Sequence, residues 1–330
     1  MKTSICFLGT GAINAKHVRI LRKLFPHMRI GIASREAVKA KIFKERFGLD
    51  VSFEHYTSAI ESDFSTIVIG VPPRYHASLL EQSLTVGKNV VVEKPIVSSL
   101  DEFRTLWPLL TKKSPSVFVA ENHFFDPFHV KVRRLIETGD LGRPRMIDLV
   151  RLGVQRVKGW RADTEEMPLG ALHEGGVHWI RRLLDLAGVG EKDPYSSLET
   201  VMANEPCPET MVVMARHRSG LTSRLFHSWT IPRSLGLFMF SRIFLESGTI
   251  TFDPRLMVGV VTGRKNRFLL PCLDDVGGFR TMWRDFIACL EEGRAPALSI
   301  RDIFFDFAYL DAAVRSLRTH REEPLVSMPC

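Results

Sequence analysis

Short apolar runs alternate with amphipathic segments through the first third of the chain. Runs without a polar position are typical of strands that are buried on both faces of a parallel sheet. They predict strands at residues 5–8, 28–33, 66–70, 90–92 and 117–120. The segments between them carry apolar residues at helical spacing and predict helices at 12–24, 35–47, 75–86 and 99–110. Right-handed crossovers would give this α/β region a doubly wound fold.

The pattern changes after residue 122. Longer runs of alternating apolar and polar residues occupy 145–154, 209–216, 221–230, 240–245 and 249–252, with turn signals such as Ser219-Gly220 between them. Such alternation predicts an open, mostly antiparallel sheet with one face in the core. Helices are predicted at 127–138, 171–186, 278–292 and 300–319. We therefore expect two domains, 1–122 and 123–330, the second of the α+β class.

Composition narrows the class of protein. The chain has 330 residues, 45% of them hydrophobic and 25% charged, as expected for a globular protein with two cores. Its five cysteines are scattered without a CxxC pair, which favours reduced thiols over a disulfide framework or a zinc ribbon. An apolar strand begins almost at Met1 and no apolar stretch is long enough to span a bilayer. We expect a cytoplasmic protein without a signal peptide or a membrane partner.

The net charge of +8 raises the question of nucleic acid binding. The basic residues are dispersed, and no helix-turn-helix, zinc-finger or RRM signature accompanies them. A basic surface also suits anionic cofactors and substrates. We therefore expect a small-molecule ligand and no nucleic acid partner.

The segment that joins the first strand to the first helix has the features of a dinucleotide-binding turn. It reads Gly9-Thr10-Gly11-Ala12-Ile13-Asn14. The first glycine allows a tight turn, and the second lets the backbone approach a pyrophosphate at a helix N-terminus. Asn14 stands where glycine or alanine is usual, which weakens the motif. The region 1–122 is therefore predicted to be a dinucleotide-binding Rossmann domain.

The end of the second predicted strand bears on the choice of cofactor. An NAD site has Asp or Glu there to hold the ribose hydroxyls, whereas this chain has Ser34-Arg35. A hydroxyl and a guanidinium can bind a 2′-phosphate, which favours NADP. Alternatively, Arg35 is an exposed residue of the first helical turn and Glu36 holds the ribose, so that NAD stays possible.

Glu93-Lys94-Pro95 follows the apolar run 90–92 and would leave the sheet at its carboxyl edge. Open α/β sheets bind ligands at this edge. A lysine held there can donate to a substrate oxygen or pass on a proton. Alternatively, Lys94 is a solvated residue at the end of a strand.

A second group of candidate residues lies in the predicted helix 171–186. His173 and His178 look like a zinc-binding HExxH pair with one residue too many. Residues five apart on an α-helix differ by roughly 140°, so we expect no metal site. Glu174 and His178 are four apart and share a face. The carboxylate could orient the imidazole, or the two could form an incidental ion pair.

Together these segments resemble the glucose–fructose oxidoreductase / inositol dehydrogenase / rhizopine-catabolism (Gfo/Idh/MocA) family. The resemblance covers nearly the whole chain in order. It rests on the turn at Gly9, the pair Lys16-His17, Val71-Pro72-Pro73-Arg74-Tyr75-His76, the segment from Gly87 to Pro95, Trp160-Arg161-Ala162-Asp163 and the segment from Gly170 to His178.

The resemblance implies an NAD(P)-dependent oxidoreductase that acts on a secondary alcohol or ketone of a sugar or cyclitol. Lys94 and His178 would handle the proton on the substrate oxygen, while Glu174 orients His178 or binds a neighbouring hydroxyl. The implied cofactor-binding residues are Gly9, Thr10, Gly11, Ala12, Ile13, Ser34, Arg35, Val71, Pro72, His76, Glu93 and Lys94. The candidate substrate contacts are His123, Trp160, Arg161 and Asp163. A cis Pro95 and a homodimer or homotetramer formed through the open sheet are also implied.

Three departures from the family pattern affect the expected site. Glu174 replaces an aspartate, Phe124 stands where arginine is frequent, and Arg181 replaces an aspartate and would add positive charge near His178. Two other functions stay open: an imine or tetrapyrrole-type reductase, and a catalytically idle NAD(P)-binding sensor on the same fold.

Overall fold

The computed structural model of the chain describes residues 3–156, 171–189, 200–207, 209–232 and 240–329, without the side chains of His173, Glu174 and residues 200–207. The chain divides into two compact units. The first unit comprises Met1–Asn122, Phe279–Ile300 and Pro329, and the second comprises His123–Gly278, Arg301–Met328 and Cys330. The change of unit after Asn122 lies where the sequence pattern changes. The segment Phe279–Ile300, however, lies in the first unit, whereas the sequence assigned it to the second.

The predicted parallel sheet forms the core of the first unit, with six strands where the sequence predicted five. Its strands are β1 (Ser4–Leu8), β2 (Arg29–Ala33), β3 (Val51–Phe53), β4 (Thr66–Ile69), β5 (Asn89–Val92) and β6 (Val117–Val119). The order β3-β2-β1-β4-β5-β6 reverses direction between β1 and β4, as in a doubly wound fold. Since β1 pairs with both β2 and β4, the turns that follow these three strands lie along one stretch of the carboxyl edge.

The helices of this unit confirm most of the sequence pattern. They are α1 (Ala12–Leu24), α2 (Ala37–Phe47), α3 (Tyr56–Ile60), α4 (His76–Thr85) and α5 (Leu100–Leu110), with a 3-10 turn at Pro73–Tyr75. The bounds of α1 are those predicted. The strand β3 and the helix α3 were not predicted, because elements of three and five residues are too short to show a period.

The helix α8 (Phe279–Glu292) belongs to the first unit because its apolar face packs there. Trp283 is fully buried, with its ring centroid 6.4 Å from that of Phe7 on β1. Phe286 lies 5.0 Å from Phe118 on β6, measured between ring centroids. These contacts join segments far apart in sequence, which explains why sequence proximity assigned the helix to the wrong unit.

A large mixed sheet forms the core of the second unit. Within the described residues it has nine strands, in the order β14-β13-β12-β11-β7-β10-β9-β8-β15. They are β7 (Pro144–Arg151), β8 (Thr200–Cys207), β9 (Thr210–Arg216), β10 (Thr222–Ser228), β11 (Ser241–Leu245), β12 (Gly248–Asp253), β13 (Val258–Thr262), β14 (Arg267–Leu269) and β15 (Glu323–Pro324). Among the described strands of this sheet only β7 and β10 pair in parallel, which confirms a mostly antiparallel sheet. The sequence missed β8 and β13–β15, which are short, half-exposed or interrupted by polar residues.

The second unit also contains the helices α6 (Pro127–Glu137), α7 (Val177–Leu186) and α9 (Ile300–Thr319). A 3-10 turn at Asn122–Phe125 precedes α6, and a π-helical turn at Leu172–Gly176 leads into α7. The bounds of α9 are those predicted, although its first residue is assigned to the first unit. Among the helices in the described ranges, none combines the length and the apolar character needed to cross a membrane.

Gly31 on β2 offers a test of core packing. A Cβ atom there would lie 2.8 Å from Cζ of Phe64 and 3.1 Å from Sγ of Cys6. The Phe64 ring is fully buried and cannot move into solvent. Gly31→Ala should therefore lower the free energy of unfolding by about 1–3 kcal/mol, measured by urea denaturation.

Gly11→Ala is the matched control, because a Cβ at Gly11 meets no atom within 4 Å. Its loss of stability should be less than about 1 kcal/mol, the usual effect of alanine at a helix N-cap. Equal stability of the Gly31→Ala variant and the wild type would contradict the packing argument.

Candidate active site

The turn after β1 leaves room for a ligand to approach the protein backbone. Gly9 has a φ of 99°, and its N–H donates to the carbonyl of Ala33 at 2.8 Å. A Cβ at Gly9 would lie 2.9 Å from the carbonyl oxygen of Gly70, so only glycine fits. Gly11, the N-cap of α1, instead faces open space, and no side chain caps the helix. Together with Thr10, the first-turn residues Ala12 and Ile13 complete a cradle that fits a pyrophosphate.

Asn14 occupies the third position of the motif, where glycine or alanine is usual. Its Nδ2 lies within hydrogen-bond distance of three carbonyl oxygens, those of Leu8 at 2.9 Å, Gly9 at 2.7 Å and Gly70 at 3.2 Å, which share its two N–H groups. The side chain is fully buried. A glycine or alanine at this position could not bridge the ends of β1 and β4. The residue that weakened the motif in the sequence therefore rigidifies the turn in the structure.

The end of β2 presents the residues that bear on cofactor choice. Ser34 is buried, and its Oγ accepts from the N–H of Glu36 at 3.3 Å. Arg35 is exposed but held in place, since its guanidinium donates to the hydroxyl of Tyr75 at 3.0 Å. The carboxylate of Glu36 forms an ion pair with Lys39. Arg35 is therefore oriented by a partner.

A chain of buried hydrogen bonds holds the Glu93-Lys94 segment. The indole N–H of Trp283 donates to Nδ1 of His17 at 2.9 Å, which leaves the ring proton on Nε2. This N–H donates to Oε1 of Glu93 at 2.7 Å. Oε2 of Glu93 accepts from the backbone N–H of Lys94 at 3.2 Å. The side chain of Lys94, which is half-buried, therefore extends from a backbone that is held in place. The Lys94–Pro95 peptide is cis, as implied by the resemblance.

His76 ties together the loops that follow β4 and β5. Its Nδ1 lies 2.7 Å from the carbonyl oxygen of Pro95, and its Nε2 lies 2.9 Å from that of Val71. The ring is fully buried, and this burial holds the pKa of His76 below its ordinary value although both carbonyls favour the protonated form. Since both ring nitrogens contact the backbone, His76 can contribute to a cofactor site by positioning Val71, Pro72 and Lys94.

Two candidate residues of the second unit stack on each other. The imidazole centroids of His123 and His178 lie 4.1 Å apart, and their planes differ by 12°. Trp179 meets His123 edge-on, with centroids 6.4 Å apart. Two positive charges at this separation repel each other, so a proton on one ring disfavours a proton on the other. The sequence named both residues but gave no reason to expect them in contact.

The π-helical turn at Leu172–Gly176 corrects the geometry assumed for the candidate helix. The sequence analysis placed His173 and His178 on different faces of an uninterrupted α-helix. A π turn pairs residues five apart, so that angular argument does not hold. Gly175 and Gly176 lower the helical propensity of the segment, which accounts for the irregular turn. Among the described residues no cluster of three His, Cys, Asp or Glu side chains is placed to hold a metal.

Arg181 makes other contacts than those expected, and the remaining predicted site residues lie outside the described part of the chain. Arg181 does not add charge beside His178: it is buried, donates to the carbonyls of Asp302 at 2.7 Å and Val189 at 2.9 Å, and pairs with Asp306 at 3.2 Å. That expectation was wrong, because Arg181 supplies charge to a buried interhelical contact. The side chain of Glu174 and the residues Trp160, Arg161 and Asp163 lie outside the described part of the chain.

His227 on β10 is a buried polar residue that the sequence analysis missed. Its Nδ1 has no hydrogen-bond partner among the described residues. A Cβ at Gly175 would lie 3.6 Å from its Nε2, so the ring faces the π-helical turn. Burial, with a smaller effect from the charge of Arg151, lowers the pKa of His227 to about 3. The alternation of β10 points Ser223 and Leu225 inward, and the same parity could have marked His227.

The sheet of the first unit and the turn after β1 define a dinucleotide-binding domain of the Rossmann class. Residues 3–121 match the family model described as "Oxidoreductase family, NAD-binding Rossmann fold". Residues 129–251 match the model of the GFO/IDH/MocA C-terminal domain. The chain belongs to the Gfo/Idh/MocA oxidoreductase family, as its motifs indicated.

Relatives of known sequence or structure agree with this assignment. The uncharacterized oxidoreductase YrbE of Bacillus subtilis is 26% identical over 144 residues, which covers 43% of this chain and less than half (42%) of that protein. Inositol 2-dehydrogenase of Rhizobium meliloti is 22% identical over 346 residues, covering 96% of this chain and 97% of the relative. Levoglucosan dehydrogenase in complex with NADH and levoglucosan shares the fold, with a TM-score of 0.85, 18% identity and coverage of 99% and 100%.

The low pKa of His227 predicts a pH dependence of stability. The unfolded chain takes up a proton near pH 6.5, whereas the folded protein resists protonation down to about pH 3. Between these values the unfolded state binds more protons, so stability falls as the pH falls. Relative to the wild type, His227→Gln should lose about 2 kcal/mol less unfolding free energy between pH 7.5 and about pH 5.

Urea denaturation at the two pH values measures this difference. His27→Gln, at an exposed histidine, is the control and should keep the wild-type dependence on pH. An identical pH dependence for His227→Gln and the wild type would show that His227 is not held neutral by burial.

Proposed function

We propose that the protein is an NADP-dependent oxidoreductase that interconverts a secondary alcohol and a ketone on a sugar, a cyclitol or a related polyhydroxylated small molecule. The observation that carries the proposal is the buried chain from Trp283 through His17 to Glu93, which fixes the backbone of Lys94 at the carboxyl edge of the sheet. Family membership supports the reaction class. The names of two relatives, inositol 2-dehydrogenase and levoglucosan dehydrogenase, support the substrate class.

The residues of the first unit fit a nicotinamide dinucleotide. The open space at Gly11 and the uncapped start of α1 suit a pyrophosphate. A bound nicotinamide dinucleotide supplies the hydride donor or acceptor of the reaction. The residues proposed to hold it are Gly9, Thr10, Gly11, Ala12, Ile13, Ser34, Arg35, Val71, Pro72, His76, Glu93 and Lys94, with Glu93 and His76 acting through the backbone that they position.

Lys94 and His178 are the two groups proposed to handle the substrate proton. Lys94 would donate a hydrogen bond to the reacting oxygen and stabilise the negative charge that develops there. His178 would give or take the proton of that oxygen, with His123 limiting its charge through the stacked ring. Glu174 would orient His178 or bind a neighbouring hydroxyl. His123, Trp160, Arg161 and Asp163 stay proposed substrate contacts.

The preference for NADP rests on the residues after β2. Ser34 and Arg35 offer a hydroxyl and an oriented guanidinium, the groups that suit a 2′-phosphate. Glu36, the carboxylate that an NAD site would need, is ion-paired with Lys39. A solved relative contains NADH, and NAD is the alternative cofactor for this chain.

We also propose that a second copy of the chain covers the open face of the large sheet, as the resemblance implies. Met214 and Phe244 are exposed there, on strands β9 and β11. Through the pairing registers they share a face with Asp148 and Arg224, whose side chains form a bidentate ion pair at 2.7 Å. An apolar surface interspersed with matched charges suits an interface between copies.

Lys94→Ala tests the reaction directly. The variant should lower turnover by about 10²- to 10⁴-fold, because the reacting oxygen loses its charged donor, while cofactor affinity changes by only a few-fold. Turnover is followed optically as NADPH oxidation or NADP⁺ reduction over a panel of keto-sugars, cyclitols and imines. Cofactor affinity is measured separately from the quenching of protein fluorescence.

Lys112→Ala, at an exposed lysine of the same unit, is the matched control and should keep wild-type turnover. Normal turnover in Lys94→Ala would remove Lys94 from the reaction. Tight NADPH binding without turnover on any panel member would favour a sensor, and activity confined to imines would favour the reductase alternative.

Gly11→Ala separates cofactor binding from folding. The new methyl group meets no atom of the described residues within 4 Å and the φ of −70° suits alanine, so the fold should be retained. If the pyrophosphate approaches this backbone, the methyl group should weaken dinucleotide binding by about tenfold or more. Fluorescence titration with NADPH measures the affinity, and unchanged affinity would place the pyrophosphate elsewhere.

A further inference from the structure

Two arginine side chains converge on one tyrosine beside the candidate cofactor site. The guanidinium of Arg35 donates to the hydroxyl of Tyr75 at 3.0 Å, and that of Arg74 donates to the same oxygen at 2.7 Å. Both guanidiniums also lie near the Tyr75 ring, 5.0 Å and 4.7 Å from its centroid. Arg35 and Arg74 are exposed, and Tyr75 is half-buried. The sequence analysis gave Arg74 and Tyr75 no role of their own.

The topology explains why these residues meet. Arg35 follows β2, while Arg74 and Tyr75 lie in the 3-10 turn after β4. Strands β2 and β4 pair with opposite sides of β1, so their following turns both border the Gly9–Gly11 turn. The cluster therefore lies at the part of the carboxyl edge where a doubly wound sheet receives the adenosine end of a dinucleotide.

The chemistry of the cluster favours an anion. Each guanidinium carries a positive charge, so both attract an anion that binds beside the Tyr75 hydroxyl. A phenol oxygen has two lone pairs, and both are taken by the arginines, so its O–H is directed away from them as a donor. The hydrogen bond from Arg74, with that from Arg35, lowers the pKa of Tyr75 and so strengthens this donor. The cluster thus offers two guanidiniums and one hydroxyl to a ligand.

We infer that Arg74 and Tyr75 join Arg35 in binding the 2′-phosphate of the cofactor, so that two arginines rather than one determine the preference for NADP. A phosphate monoester has three oxygens and about two negative charges, which match two forked guanidinium donors and a hydroxyl. Glu36, the carboxylate next to Arg35 in the chain, is ion-paired with Lys39. This inference rests on the proposed function and names the residues that determine its cofactor specificity.

Binding measurements on the full chain test the inference without a substrate. Calorimetric titrations with NADP⁺, NAD⁺, adenosine 2′,5′-bisphosphate and 5′-AMP separate the effect of the 2′-phosphate from that of the rest of the cofactor. Arg74→Gln and Arg35→Gln should each weaken the two 2′-phosphate ligands by about 10- to 100-fold, the range for a charge-assisted hydrogen bond. Binding of NAD⁺ and 5′-AMP should change by less than about twofold.

Two further variants sharpen the test. Tyr75→Phe keeps the ring but removes the oxygen that orients both guanidiniums, and should weaken NADP⁺ by about tenfold. Arg104→Gln removes another exposed arginine, on α5, where it faces Asp101 at 3.7 Å, and should leave every affinity unchanged.

The outcomes distinguish this inference from the proposed function. If the wild type binds NAD⁺ as tightly as NADP⁺, both the NADP preference and the shared phosphate site are wrong. If NADP⁺ is preferred and only Arg35→Gln loses that preference, the role of Arg74 and Tyr75 is wrong while the proposed function stands. If Arg74→Gln weakens NAD⁺ as much as NADP⁺, Arg74 acts through general charge and not on the 2′-phosphate.

Discussion

The hydrogen bond from Trp283 to His17 determines how the candidate site of the first unit is built. An indole nitrogen can only donate, so Nδ1 of His17 must accept, and the ring proton must lie on Nε2. His17 therefore donates to Glu93, whose second oxygen accepts from the backbone N–H of Lys94. Because His17 and Trp283 are fully buried and Glu93 nearly so, loss of any one partner would leave a desolvated polar atom, at a cost of about 1–3 kcal/mol. The helix that carries Trp283 is thus joined to the first unit by a buried hydrogen bond as well as by packing.

Asn14 and His76 also fix the backbone through buried hydrogen bonds, at the neighbouring turns. Each buried side chain is bonded to backbone carbonyls at the carboxyl edge, Asn14 between β1 and β4 and His76 between the loops after β4 and β5. Carbonyl groups that leave the sheet at this edge lack strand partners and are costly to bury unpaired. Satisfying them with side chains removes that cost and leaves the N–H groups at the start of α1 for a ligand. Asn14 and His76 therefore hold the carboxyl edge in place without needing to contact a bound cofactor.

Sequence periodicity predicted those parts of this arrangement that depend on local order. The bounds of α1 and α9 follow from apolar spacing, and the turn at Gly9 follows from its glycines. The role of Trp283 could not be predicted, because its partner lies 266 residues away and a tryptophan on an apolar helix face is ordinarily a core residue. Arg181 was misjudged for the same reason: its partner Asp306 lies on a distant helix. Local patterns identify elements, whereas long-range polar pairs need the fold.

The second unit depends on an irregularity for which the sequence gives only a weak signal. Gly175-Gly176 permits the π-helical turn that precedes α7, and the first turn of α7 brings His178 face to face with His123. Face-to-face imidazoles oppose a second positive charge, so the pair carries one proton more readily than two. A proton-transfer group needs both its protonated and its neutral form within reach, and a stacked neighbour that resists double protonation keeps the neutral form accessible. For the proton-transfer role proposed for His178, the π turn would therefore matter through the contact that it allows between the two rings.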